Sequence, residues 1–245
     1  VASVAALTGR RVGVAIGTSS EVVVRDWHSR SRRRAALALA ESAVSLRGIL
    51  DGKRSTLDGE VLRSMEYRLR LPAPESPLTV AAFGEAAVEV AARHADRLVL
   101  NLVSPATAAA LVWKLRATAA KFDRPAPAVA VWVPAAAEPD PAAVEQLRRA
   151  VVGYLAAPGY AEMFTAEGFG DVVELAATRL HPRELLAAVG EDLVAAVGLL
   201  GSPADVSGRL AAYAEAGVDE VVLVPSCTDR DPAGARTLEA FACGG

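Results

Sequence analysis

Five short, nearly unbroken apolar runs constrain this chain more than any other feature: residues 11–17, 78–83, 96–103, 128–133 and 219–224. Each is rich in Val, Leu, Ile or Ala, and each is short enough to be a strand. Helical stretches separate them. Residues 35–50 are closed by Asp51-Gly52, and residues 85–94 follow the turn at Gly84. Ser104 caps a helix with Pro105 at its first position, running to about residue 122. Asp140-Pro141 opens another through Tyr154, and Ser202-Pro203 opens one to Ala216 that Gly217 ends. Residues 158–197 read as mostly helical, punctuated by Gly168, Gly170 and Pro182. Residues 53–75 are mixed, with a turn at Leu57-Asp58-Gly59 and a rigid exit at Pro72 and Pro74.

Strands alternating with helices imply parallel strands joined by right-handed crossovers. Strands this continuously apolar belong to a sheet buried on both faces. A (β/α) barrel and a doubly wound sheet both satisfy the pattern. With 245 residues, 52% of them hydrophobic and only 5% aromatic, the chain can fill one sizeable core with small side chains suited to close helix-on-sheet packing. A single domain over residues 1–245 is the simplest expectation.

The net charge of −3 gives no reason to expect nucleic acid as a partner. The basic cluster Arg30, Arg32, Arg33 and Arg34 reads as the solvated first turn of a helix. Cys227 and Cys243 show no metal-ligand spacing, and a reducing cytoplasm fits them best. No apolar run approaches a membrane span.

The stretch with the most chemical content is Gly84-Glu85-Ala86-Ala87, directly after the strand-like run 77–83. A helix that starts at a glycine turn directs free backbone N–H groups and its positive dipole end at one spot. That spot suits an anion, typically a cofactor phosphate. The phosphate contacts would come from the amides of Glu85, Ala86 and Ala87. Thr18, Ser19 and Ser20 sit just past another strand end, where they can donate hydrogen bonds to a ligand or satisfy their own loop. Trp27 and His28 fit a pocket wall and a helix-entry packing pair equally well. His94 reads as a structural residue at a helix C-terminus, and Trp113 and Trp132 as packing residues.

Three segments, taken in order, resemble one family. They are GRRVGVAIGTSS (9–20) followed by Trp27-His28; PLTVAAFG (77–84) with AARHADRLVLNL (91–102); and GSPADV (201–206) with AAYAEAGVDEVVLVP (211–225). LAAPGY (155–160) and HPREL (181–185) fit the same pattern. The chain resembles the luciferase-like monooxygenase superfamily, in its F420-dependent oxidoreductase branch. That resemblance implies an α/β (β/α)8 TIM barrel of the bacterial-luciferase-like type, binding a deazaflavin or flavin at the carboxyl ends of its strands.

The resemblance places Gly17, Thr18 and Ser19 beside the cofactor ring and tail, and Gly84, Glu85, Ala86 and Ala87 around its phosphate. It implies coenzyme F420, with FMN as the alternative, a small-molecule substrate and a homodimer. Only about five of the eight barrel strands are expected here, since residues 11–17 resemble the fourth. The missing three would take roughly 75–100 residues at about 30 per βα unit. The family's catalytic acid/base belongs to that upstream part, so no catalytic residue is assigned. The readings that follow are an F420-dependent oxidoreductase, an FMN-dependent monooxygenase, and a partial barrel with no activity of its own.

Overall fold

In chain order the elements are α1 (Ala2–Thr8), β1 (Val14–Gly17), α2 (Ala35–Leu50), β2 (Ser55–Asp58), β3 (Arg63–Tyr67), β4 (Leu78–Ala81), α3 (Glu85–His94), β5 (Arg97–Asn101), α4 (Pro105–Ala120), β6 (Ala128–Ala137), α5 (Pro141–Val152), α6 (Tyr160–Ala166), α7 (Gly170–Ala177), α8 (Pro182–Ala188), α9 (Glu191–Val197), β7 (Leu199–Gly201), α10 (Pro203–Glu215), β8 (Glu220–Pro225) and α11 (Ala235–Phe241). A π-helical turn, Val22–Trp27, follows β1. The computed structural model describes residues 1–178 and 180–241, so Cys243 lies outside the described residues. All five expected strands are present as β1, β4, β5, β6 and β8. Among the described residues no helix is long and apolar enough to cross a membrane.

The structure divides into two compact units. The first comprises Val1–Val99 and Trp113–Val129. Here β1 pairs in parallel with β4, from Val14↔Leu78 to Gly17↔Ala81, and β4 pairs in parallel with β5. Leu78, Val80 and Leu98 are fully buried in these strands. Helix α3 covers β4 with Val88, Ala91 and Ala92, small side chains that allow a close approach, and α2 packs on α3. Arg47 of α2 ties down the entry to β4. Its guanidinium donates to Ser76 O (2.9 Å) and Pro74 O (3.1 Å), and Asp96 Oδ2 beside it accepts from Leu78 N (2.8 Å).

The second unit comprises Leu100–Val112 and Ala130–Gly245. Strand β6 is its spine, pairing in parallel with β8 from Ala130↔Glu220 to Ala135↔Pro225 and with β7 from Ala135↔Leu199 to Ala137↔Gly201. Val131, Val133, Leu147, Phe164, Leu193, Val197 and Tyr213 form its core. The three expected caps are in place. Thr107 N donates to Ser104 Oγ (3.1 Å), Ala143 N to Asp140 Oδ1 (2.8 Å) and Asp205 N to Ser202 Oγ (3.3 Å).

Three features differ from the sequence expectation. Strand β7 adds a sixth parallel strand; it is three residues long and continues the apolar run of α9, so periodicity cannot separate it. Trp113 and Trp132 are not packing residues, being 73% and 45% exposed. The mixed region 53–75 contains the antiparallel hairpin β2–β3. A buried carboxylate holds that hairpin: Glu41 accepts from the amides of Glu60 (2.8 Å), Val61 (3.0 Å) and Leu62 (2.6 Å). A Cβ at Gly59 would overlap this carboxylate, so glycine is required there by close approach.

The amide donors, led by that of Leu62, hold the Glu41 carboxyl below its ordinary range. A carboxyl depressed in the folded state stabilises the fold above its unfolded pKa and loses that contribution as pH falls through the folded value. Glu41→Gln is therefore expected to lower the thermal midpoint by several degrees at neutral pH. The gap to the unaltered chain should close on acidification below the ordinary carboxylate range. Thermal melts over a pH series check this; a pH-independent gap would contradict it.

Candidate functional site

The sequence-selected residues fall on two neighbouring strand ends of the first unit. Gly17 closes β1, and its register partner Ala81 closes β4. Because the strands are parallel, the segment Thr18-Ser19-Ser20 and the turn 82–84 leave side by side from carboxyl ends. The pairing explains Gly17 itself: a Cβ there would lie 3.1 Å from the Ala81 Cβ.

Gly84 differs. Its backbone is extended (φ −76°, ψ 160°), which any residue adopts, and a Cβ there would meet nothing within 4 Å. The space in front of Gly84 is thus a cradle that a side chain would enter. No side chain caps α3. Ala87 N donates to Gly84 O (3.1 Å), while among the described residues the amides of Glu85 and Ala86 have no recorded acceptor. Two orphan donors at the positive end of a ten-residue helix, beside the open space at Gly84, fit a phosphate group. Glu85 itself is exposed and pairs with Lys114 Nζ (3.0 Å), so its charge at the helix start is balanced.

Four other helices that follow parallel strands, α4, α5, α10 and α11, fill their starts with side chains, whereas α2, after β1, has no side-chain cap at Arg34. Helix α4 takes the Ser104 hydroxyl, and the Glu167 carboxylate accepts from Ser104 Oγ and from Thr107 Oγ1 (2.8 Å). Asp140 caps α5, and Ser202 with Asp205 caps α10. At α11 the Asp231 carboxylate accepts from the amides of Arg236 (2.8 Å) and Thr237 (3.0 Å).

On the β1 side, Ser19 sits in the left-handed region (φ 54°). Ser20 Oγ accepts from Val23 N (3.3 Å) and so is used locally. The residue that sequence reasoning missed is Arg32. It does not belong to the first turn of α2, which begins at Ala35 after Arg34 (φ 57°). Its guanidinium folds back to donate from Nε to Ser19 O (3.0 Å) and from Nη2 to Thr18 Oγ1 (3.2 Å). Within the cluster, among the described residues only Arg34 takes a carboxylate partner, Glu60. No spacing rule separates Arg32 from its neighbours, because the contact spans 14 positions through an irregular loop. Trp27 is 71% exposed and His28 is exposed, so neither is packed at a helix entry. His94 is half-buried, and burial together with Arg93 and Arg124 lowers its pKa.

These features define an α/β protein of the barrel type whose candidate site lies at the carboxyl ends of adjacent parallel strands. The family model of luciferase-like monooxygenases matches residues 1–220. This chain belongs to that family. Among solved structures it is similar to the coenzyme F420-dependent tetrahydromethanopterin reductase of Methanopyrus kandleri, with 17% identity, a TM-score of 0.73, and coverage of 96% of this chain and 72% of that one. It is also similar to an F420-dependent secondary alcohol dehydrogenase in complex with an F420–acetone adduct, with 21% identity, a TM-score of 0.73, and coverage of 98% and 72%. An EDTA monooxygenase from Chelativorans sp. BNC1 matches with 18% identity, a TM-score of 0.62, and coverage of 98% and 66%. Among curated proteins no sequence matches. The structural likenesses carry the fold; the matching part of each relative is about seven-tenths of its length or slightly less.

The two glycines separate by their surroundings. Gly17→Ala is expected to cost about 1–3 kcal/mol, because the new methyl group presses on Ala81. Gly84→Ala is expected to leave stability within about 0.5 kcal/mol, as for an exposed position with compatible backbone. Denaturant unfolding of both variants checks the contrast.

Proposed function

We propose that this chain serves an F420-dependent oxidoreductase that transfers a hydride between the deazaflavin and a small organic substrate, with its carboxyl-end site as the cofactor cradle. The carrying observation is the uncapped start of α3, where among the described residues the amides of Glu85 and Ala86 have no acceptor and a Cβ at Gly84 would meet open space. Family membership supports the same reading, as does the fold likeness, which is higher for the two F420-dependent enzymes than for the EDTA monooxygenase. When bound, the deazaflavin supplies the hydride chemistry.

The residues of this chain bind and orient. Glu85 and Ala86 would donate amide hydrogens to the phosphate, with Ala87 closing the turn behind them, and Gly84 would leave the room for close approach. Gly17, Thr18 and Ser19 form the neighbouring wall. Lys114 offsets the Glu85 charge near the bound anion. A homodimer is part of the same proposal, by family resemblance.

An FMN-dependent monooxygenase is the second reading, favoured by the description of the family and by the EDTA monooxygenase likeness. Both cofactors carry a phosphate, so the α3 cradle serves either. Fluorescence titration of the chain with F420 and with FMN separates them. Saturable quenching of F420 with weaker FMN binding is the expected result; a preference for FMN gives the second reading, and binding of neither at tens of micromolar contradicts both. Gly84→Ala, expected to leave the fold intact, should weaken binding roughly tenfold or more, because the new methyl group enters the space the phosphate would take and keeps it from the amides.

A further inference from the structure

We infer that Arg32 is a positioning residue for the cofactor, acting through the hydroxyl of Thr18; this rests on the cofactor reading above. Thr18 Oγ1 carries one hydrogen and two lone pairs. Arg32 Nη2 donates to that oxygen at 3.2 Å, which occupies a lone pair and leaves the hydroxyl hydrogen to be given elsewhere. A cationic donor on the oxygen also polarises the O–H bond, making it a stronger donor. Arg32 thereby sets Thr18 as a hydrogen-bond donor at the carboxyl end of β1, next to the α3 cradle across the β1–β4 pair.

The second bond, from Arg32 Nε to Ser19 O at 3.0 Å, fixes the backbone that carries this hydroxyl. Ser19 has φ 54°, a conformation that a non-glycine residue holds only when its surroundings enforce it. Arg32 is half-buried and has no carboxylate partner recorded among the described residues, whereas Arg25 and Arg34 of the same region pair with Glu21 and Glu60. Its two recorded bonds both go to the loop that faces the cradle. A guanidinium used in this way orders donors for an electron-rich ligand group. Lysine cannot replace it, because one ammonium on a flexible stem does not reproduce the two-pronged geometry.

The test has a ligand-free arm and a binding arm. In the ligand-free arm, hydrogen exchange of residues 17–23 is compared in the unaltered chain, Arg32→Ala and Thr18→Val. Faster exchange confined to this segment in Arg32→Ala is expected. Unchanged exchange, or faster exchange throughout the chain, would overturn the inference. In the binding arm, F420 and FMN are titrated into the unaltered chain, Arg32→Ala, Arg32→Lys, Thr18→Val, Thr18→Ser and the Arg32→Ala/Thr18→Val double variant.

Arg32→Ala and Thr18→Val are each expected to weaken binding about tenfold, the scale of one hydrogen bond to a charged or polarised group. The double variant should be no weaker than the poorer single variant, since both changes remove the same donor. Thr18→Ser should bind like the unaltered chain, and Arg32→Lys should not recover it. Effects that multiply in the double variant, or an Arg32→Ala affinity equal to that of the unaltered chain, would overturn the role of Arg32 while leaving the cofactor reading standing. Failure of the unaltered chain to bind either cofactor overturns both.

Discussion

The parallel pairing of β1 with β4 is the constraint on which the candidate site depends. Parallel strands send their carboxyl ends the same way, so a register that matches Gly17 with Ala81 brings two loops from distant parts of the sequence to one edge. The pairing is tight because neither partner has a large side chain at that level. A bulkier residue at Gly17 would press on Ala81, and the distance between the loops would change with it. Anchoring at the other end of β4 is polar. Arg47 gathers the carbonyls of Pro74 and Ser76, and Asp96 takes the amide of Leu78. A strand held at its entry by hydrogen bonds and along its length by buried Leu78 and Val80 gives its exit turn a fixed origin.

From that origin the chemistry follows from which helix starts the protein satisfies itself. Every α-helix begins with backbone donors that lack intrahelical acceptors. At α4, α5, α10 and α11 the chain supplies hydroxyls and carboxylates: Ser104 with Glu167, Asp140, Ser202 with Asp205, and Asp231. At α3 it supplies none, as also at α2. A carboxylate already seated on a helix start competes with any incoming anion for the same donors and repels it. The absence of a cap at α3, the open space before Gly84 and the neutralising Lys114 act together, and each would mean less without the others.

Much of this was legible in the sequence. Apolar runs bounded by turn residues located five of the six parallel strands, and the Ser-Pro and Asp-Pro pairs located three helix starts, because capping is a local property that a few adjacent residues decide. The α3 turn was legible for the same reason. What escaped depends on distant partners. The β2–β3 hairpin is polar and held by Glu41, about twenty residues before its turn, so no alternation announces it. Strand β7 is too short for a period. Trp113 and Trp132 are large and apolar, yet residue type alone does not say which face of α4 or β6 they occupy. Arg32 stands in a run of like charges, and only the folded loop distinguishes the guanidinium that turns back to Thr18 and Ser19 from those that do not.

Two buried phenols of the described structure serve to hold geometry. At the exit of β5 in the second unit, Tyr160 donates to Asn101 O (2.9 Å) and Tyr213 donates to Val103 O (2.6 Å). Burial pushes both phenols up to about 12, so at neutral pH each keeps its proton and its hydrogen bond. In the first unit, Thr18, Ser19, Arg32 and the α3 amides can donate hydrogen bonds. A wall of donors with fixed directions stabilises negative charge or a lone pair placed against it, and it does so without moving a proton. Under the cofactor reading, the contribution of these residues would be orientation, holding an electron-rich ligand at a set position.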